Sequence, residues 1–219
     1  MAFHEGGFDS DLFSFGELLK LKGQRLLVVP NYQRPYEWET EHLDTLILDL
    51  LDHYDTWKEK DQASQSNYFT GTVVIHDDPK ARYIVDGQQR ITTITVILCA
   101  LRDIIDAAKS EVQSETTDST DFLKYPMDQE IGMSVTQLKN IITGLITDTS
   151  LGVGNRPILE LKQADEERLK WIRLTWQEKQ ASLCPNTFAY WKKQGSTGLP
   201  GQEGSRLRSI YENYLQVWK

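Results

Sequence analysis

Five consecutive residues, Asp86, Gly87, Gln88, Gln89 and Arg90, carry the densest chemistry in this chain. A carboxylate can hold a hydrated Mg²⁺ or position a water, the usual tasks in phosphate-transfer sites. Gly87 has no Cβ, so the backbone can turn sharply there and approach a ligand closely. Gln88 and Gln89 offer donors and acceptors that suit a nucleobase, ribose or phosphate. Arg90 can fork onto phosphate oxygens. Thr92 and Thr93 add hydroxyls in the next turn. The plainer reading is a turn made by Asp86 and Gly87, with Arg90 paired to a nearby carboxylate. The two glutamines and the arginine together favour a site.

A second cluster is Pro30-Asn31-Tyr32-Gln33-Arg34-Pro35-Tyr36-Glu37-Trp38. Its prolines reduce the freedom of the segment, so side chains can be presented at lower entropic cost. Tyr and Trp faces stack on bases, and Arg34 can bond phosphate. A well-packed connection with its rings in the core is the alternative. The third feature is Tyr68-Phe69-Thr70-Gly71-Thr72. A glycine inside a strand fits a close approach by a ligand or another backbone, and it fits a β-bulge equally well.

The elements that must position these residues follow from periodicity. Tyr83 to Val85 reads as a buried strand, and Ile91 to Ala108 as a helix with Ile91, Ile94, Leu98, Leu101 and Ile105 inward. Unpaired N–H groups and the macrodipole make the junction between them a natural place for phosphate. Earlier in the chain, Ser14 to Glu17 matches a capping box for a short helix that Gly23 should stop. Leu26 to Val29 reads as a strand ended by Pro30. A helix begins near Thr40, with Leu43, Leu46, Ile47, Leu50, Leu51 and Tyr54 on one face. Lys58 to Asn67 is a polar loop. Tyr68 to His76 and Arg82 to Val85 form two strands around a turn at Asp77 to Lys80.

Ser110 to Asp121 reads as a solvated linker. Helices are expected at Val135 to Leu145, Ala164 to Leu174 and Ser205 to Trp218, with a strand at Ile158 to Leu161 and a Gly-rich loop at Gly195 to Gly204. The acidic run Asp165-Glu166-Glu167 is most simply a helix's solvated first turn. Trp171 and Trp176 are expected to pack, and Cys99 to lie in the core. The chain stops within a helical pattern, which reads as a fragment of a longer protein.

With 219 residues, 39% of them hydrophobic and 26% charged, the chain can build an ample core. Its 24 Lys and Arg against 32 Asp and Glu give a net charge of −8, which argues against a uniformly basic DNA-binding surface. A local basic groove remains open. No stretch approaches the roughly 20 apolar residues of a membrane span, and residues 1–10 lack the blocks of a signal peptide. Cys99 and Cys184 form no CxxC pair, and the histidines show no HxH or HExxH spacing. GxxxxGK[ST] is absent. These features fit the cytoplasm.

Together, Pro30 to Trp38, Tyr68 to Gly71 and Val85 to Thr93 resemble the DUF262 family. That family is the N-terminal domain of GmrSD-type, modification-dependent restriction enzymes and related phage-defence proteins. The resemblance is specific over about residues 12–108 and looser from Arg156 to Trp218. It implies an α/β (α+β) fold of ParB/sulfiredoxin-like type, with a small sheet and helices over 1–121 and a mostly helical extension over 122–219. Sulfiredoxin's phosphate-loop cysteine has no counterpart here, so sulfinic-acid repair is not expected.

The function implied is NTP binding and Mg²⁺-dependent hydrolysis that governs a DNA restriction activity. The DGQQR signature falls on Asp86 to Arg90. Asp86 would then be catalytic and hold the metal, with Arg90 catalytic beside it. Tyr32, Gln33, Arg34, Gly87, Gln88, Gln89 and Thr92 would bind the nucleotide. The implied partners are a nucleotide, DNA, and an HNH-type nuclease domain or subunit. No histidine follows His76, so the nuclease motifs lie outside these residues. An oligomer is compatible with all of this. The alternatives are a non-catalytic module that binds nucleotide or modified DNA, and a ParB-like DNA nuclease. The acidic charge weighs against the nuclease.

Overall fold

Leu26 to Val29, short and apolar, becomes the middle of a sheet. The computed structural model describes residues 9–24, 26–60, 64–114, 134–148, 156–182, 184 and 209–219. In it β1 (Leu27–Val28) lies between two parallel partners, β3 (Arg82–Asp86) and β6 (Leu159–Glu160). β2 (Val74–Asp77) joins β3 as an antiparallel edge, giving the order β2-β3-β1-β6. Leu27, Ile84 and Leu159, one from each of three adjacent strands, are fully buried. Parallel strands covered on both faces read as apolar runs without alternation, as β1 and its flanking residues Leu26 and Val29 do. β4 (Thr147–Asp148) and β5 (Arg156–Pro157) form a second, two-stranded sheet.

Helix α1 (Phe15–Gln24) starts at the expected capping box. Ser14 Oγ accepts the Glu17 N–H at 3.2 Å, and the Glu17 carboxylate accepts the Ser14 N–H at 2.8 Å. The helix overruns Gly23 by one residue, since an internal glycine costs only about 1 kcal/mol. Helices α4 (Val135–Ile146), α5 (Gln163–Arg173), α6 (Trp176–Ala181) and α7 (Ser209–Gln216) surround the long α3 (Gln88–Ser114), and α2 (Thr40–Lys58) packs on α7. α3 packs against α4, α5, α6 and α7. One core therefore takes Ile84, Ile91 and Val96 together with Ile142, Leu169, Ile172 and Ile210. The architecture is α/β, as the family resemblance implies. Trp176 packs on Trp218, Trp171 on Tyr214, and Cys99 is in the core.

Several expectations need correction. Of the strand expected at Tyr68 to His76 only Val74 to His76 pairs with β3, the pairing runs one residue into the expected turn, to Asp77, and the register shifts between Val74 and Ile75. Gly71, at φ +101°, turns the preceding stretch out of extended geometry. On α3, Leu101 is exposed while Arg102 and Asp103 are buried, because helices cover α3 on several sides and widen its inner arc. On α2, Leu43 and Leu46 are buried but Leu51 and Tyr54 are exposed. Residues 110–114 of the expected linker continue α3, and the rest of it lies outside the described residues, as does Gly195 to Gly204. The acidic run is not a solvated turn. Asp165 and Glu166 are buried, paired with backbone N–H groups and, for Glu166, with Arg173.

A buried charge cluster joins α3 to the later helices. Asp103 accepts Arg102 Nε at 3.0 Å, Arg102 Nη2 at 2.9 Å, the Tyr214 hydroxyl at 2.9 Å, and the Lys179 ammonium. Arg102 and Lys179 also donate to the carbonyls of Ile172 and Leu174, and Arg102 to that of Arg173. These are the orphan carbonyls at the end of α5. Burial pushes the Lys179 ammonium below its ordinary range, and the Asp103 charge opposes that shift.

Candidate functional site

β3 ends at Asp86, Gly87 turns the chain at φ +87°, and α3 begins at Gln88. A Cβ at Gly87 would lie 3.0 Å from Val73 Cγ2 and 3.3 Å from the Thr72 carbonyl oxygen. Glycine is required here twice, by the left-handed backbone and by the close approach.

The Pro30 to Trp38 segment lies directly against this junction. Gln88 Nε2 donates to the Arg34 carbonyl and Gln89 Nε2 to the Pro35 carbonyl, each at 2.9 Å. Gln89 Oε1 accepts the N–H of Glu37 at 2.8 Å and of Trp38 at 3.3 Å. Gln33 Nε2 donates to the Val85 carbonyl at 2.7 Å. An irregular segment in a folded interior must pair its backbone groups somewhere. Carboxamides, with a donor and an acceptor each, do that for this one. Tyr36 is anchored at both ends. Its N–H donates to Asp165 at 2.9 Å, and its hydroxyl lies 2.7 Å from Thr93 Oγ1 and accepts Asn213 Nδ2 at 2.7 Å. Burial pushes that phenol up to about 12.

Arg90 points to the third motif. Its Nη1 donates to the Thr72 carbonyl at 3.0 Å, and a Cβ on Gly71 would meet the guanidinium carbon at 2.9 Å. The glycine in Tyr68 to Thr72 thus makes room for a side chain of the DGQQR motif. Gly71→Ala is expected to lose about 1–3 kcal/mol through the left-handed strain alone and to dislodge Arg90. Urea denaturation checks this, and a variant as stable as the parent would show that Arg90 yields freely.

A recess opens where these elements meet. Its walls are Val29, Tyr36, Gln88, Gln89, Thr92, Leu161 and Asp165, with Arg34 and Lys162 also lining it. Of the residues singled out in the sequence, Arg34, Gln88, Gln89 and Thr92 line the recess. Gln33, Gly87 and Arg90 brace the segments around it, Tyr32 is 75% exposed on the 31–33 turn, and Asp86 is exposed at the strand end. Arg34 also pairs with Glu37 at 3.3 Å. Sequence reading missed Lys162 and Asp165. Asp165 sits in the first turn of α5, buried, and desolvation raises its carboxyl above the usual range, opposed by the Tyr36 N–H and by Arg168 and Lys162. The Lys162 ammonium donates to the carbonyls of Asn31, at 3.3 Å, and Gln33.

Two cations, a buried carboxylate, a hydroxyl and two carboxamides can together bind an anion that carries hydrogen-bonding groups. Mg²⁺ usually takes one or two carboxylates plus substrate phosphates, not a protein cage. Among the described residues, no three His, Cys, Asp or Glu side chains converge as ligands. Asp165, on the recess, and Asp86, exposed at the strand end, are the carboxylates that would meet a Mg²⁺ if one arrived on a nucleotide.

The site is thus built where the parallel sheet of an α/β domain meets a glycine-turned helix start. Residues 15–217 match the family described as the GmrSD restriction endonuclease, N-terminal domain, and the chain belongs to that family. The family places it in the setting of DNA restriction. No curated protein matches the chain. No described helix is long and apolar enough to cross a membrane.

Proposed function

We propose that this domain binds a nucleoside triphosphate with Mg²⁺ in the recess and hydrolyses it, governing a DNA-cleaving nuclease domain or subunit in the cytoplasm. The observation that carries this reading is the convergence of Arg34, Gln88, Gln89 and Thr92 with Lys162 in one recess. Arg34 and Lys162 supply positive charge for phosphate, and Thr92 supplies a hydroxyl. Arg90 has five N–H donors, one of which goes to the Thr72 carbonyl, and the proposal gives it a phosphate oxygen as a further partner. Asp86 orients the attacking water and takes its proton as the water oxygen bonds the γ-phosphorus. The bond from that phosphorus to the bridging oxygen breaks, and the diphosphate leaves with the electron pair. Mg²⁺, when bound, neutralises phosphate charge.

Phosphate release and nucleotide affinity test this for the wild type, Asp86→Ala and Arg90→Ala. Both variants should keep the fold and lose turnover by at least about 100-fold, the ordinary weight of a general base for Asp86 and of a charge-stabilising donor for Arg90. Wild-type protein that binds none of the four nucleoside triphosphates would remove the proposal. A second reading, binding without turnover, is favoured by the partners of Gln88 and Gln89, which are backbone groups of the protein itself. Measurable affinity with no phosphate release would select it.

A further inference from the structure

The recess is small. Its walls leave room for about one water molecule, against about 300–1,000 Å³ for ordinary small-molecule pockets. Something must move to admit a nucleotide, and most of the lining cannot. Val29, Gln88, Gln89, Thr92, Leu161 and Asp165 are all buried. The residues from Arg34 to Trp38 are stitched down by Gln88, Gln89, Asp165 and Asn213.

The adjoining turn, Asn31 to Gln33, differs from these walls. Asn31 and Tyr32 are exposed, and Pro30 and Pro35 flank the segment on either side. Within the turn, the Gln33 N–H bonds the Pro30 carbonyl at 3.0 Å. Its ties to the body are the Gln33 side chain on Val85 and the Lys162 ammonium on the carbonyls of Asn31 and Gln33. Lys162 stands at the N-cap of α5, on the lining of the recess and across from the turn. A bond from ammonium to phosphate joins two charges and is roughly twice as strong as one to a neutral partner.

We propose that Lys162 is the latch of this site: it holds the 31–33 turn closed until a nucleotide phosphate takes its ammonium, and binding then frees the turn. The inference rests on the nucleotide reading above. The same ammonium serves both states, so occupancy of the recess and the position of Tyr32 are coupled. An exposed aromatic on a released turn is a means by which a bound nucleotide reports to a neighbouring domain.

The test uses the full chain with each Mg²⁺–nucleoside triphosphate as probe, and reads calorimetric affinity beside chymotryptic cleavage after Tyr32, identified by mass. In the wild type, saturating nucleotide should speed that cleavage. Lys162→Met should cleave fast with or without nucleotide and bind about 10–100-fold more weakly, the weight of one charged hydrogen bond. Lys162→Arg, which keeps the charge, should bind more tightly than Lys162→Met and restore nucleotide-dependent cleavage. Thermal melting controls for folding, and the arginine variant keeps the question decidable if the methionine variant melts early. Wild-type binding with unchanged or slower cleavage after Tyr32 overturns the latch and leaves the nucleotide reading intact, as does undiminished affinity in Lys162→Met. Absence of wild-type binding to all four nucleotides overturns both.

Discussion

Asp103→Ala is expected to lose about 3–5 kcal/mol of stability, the cost of leaving buried charge without its partner. Arg102 and Lys179 are both buried, and both donate to this one carboxylate. Without it, two cations face each other and the carbonyls at the end of α5 with no counter-charge. Single domains hold only about 5–15 kcal/mol in all, so the loss is a large share of the total and should lower the unfolding midpoint strongly. Chemical denaturation followed by tryptophan fluorescence would show it, since Trp171 lies over the Lys179 ammonium. Asp103→Asn keeps an acceptor for Tyr214 and should fall in between. A variant within about 1 kcal/mol of wild type would mean that water reaches the cluster.

The second large effect is expected at Gln89. Its carboxamide satisfies the N–H groups of Glu37 and Trp38 and the carbonyl of Pro35. Gln89→Ala strands three partly buried backbone groups, each worth about 1–3 kcal/mol when unpaired. A loss of about 3 kcal/mol is the expected total, because rearrangement and water relieve part of it. The amides of Glu37 and Trp38 should exchange with solvent far faster than in the wild type, with no nucleotide present. If Gln89 were purely a ligand contact, nucleotide affinity would fall while exchange and stability stayed unchanged. The two outcomes separate a staple from a binding group.

That contrast shows how far the residues could be read in order. The strand into Asp86, the turn at Gly87 and the long helix after it were legible. Periodicity and a glycine's backbone freedom are local properties, expressed within a few residues. The capping box at Ser14 was legible for the same reason. The DGQQR cluster stood out because polar residues crowd a place where a helix start already leaves N–H groups unpaired. The direction of its glutamines was not legible, since a carboxamide suits a nucleobase and a peptide backbone equally well.

The acidic residues at the start of α5 show the limit most clearly. Asp and Glu in a first helical turn look the same whether water or protein surrounds them, because the helix dipole favours them in either setting. Asp165 is buried because its partner is the Tyr36 N–H, 129 residues earlier in the chain. Lys162 reaches back the same 129 residues to Gln33. Periodicity was enough for the junction, and the three ordered motifs were enough for the family and, through it, for the α/β class. The far side of the recess came from β6 pairing parallel to β1, which carries Leu161, Lys162 and Asp165 up to the motif. Strand pairing over that distance leaves no local trace, so it emerges only when the chain closes on its own core.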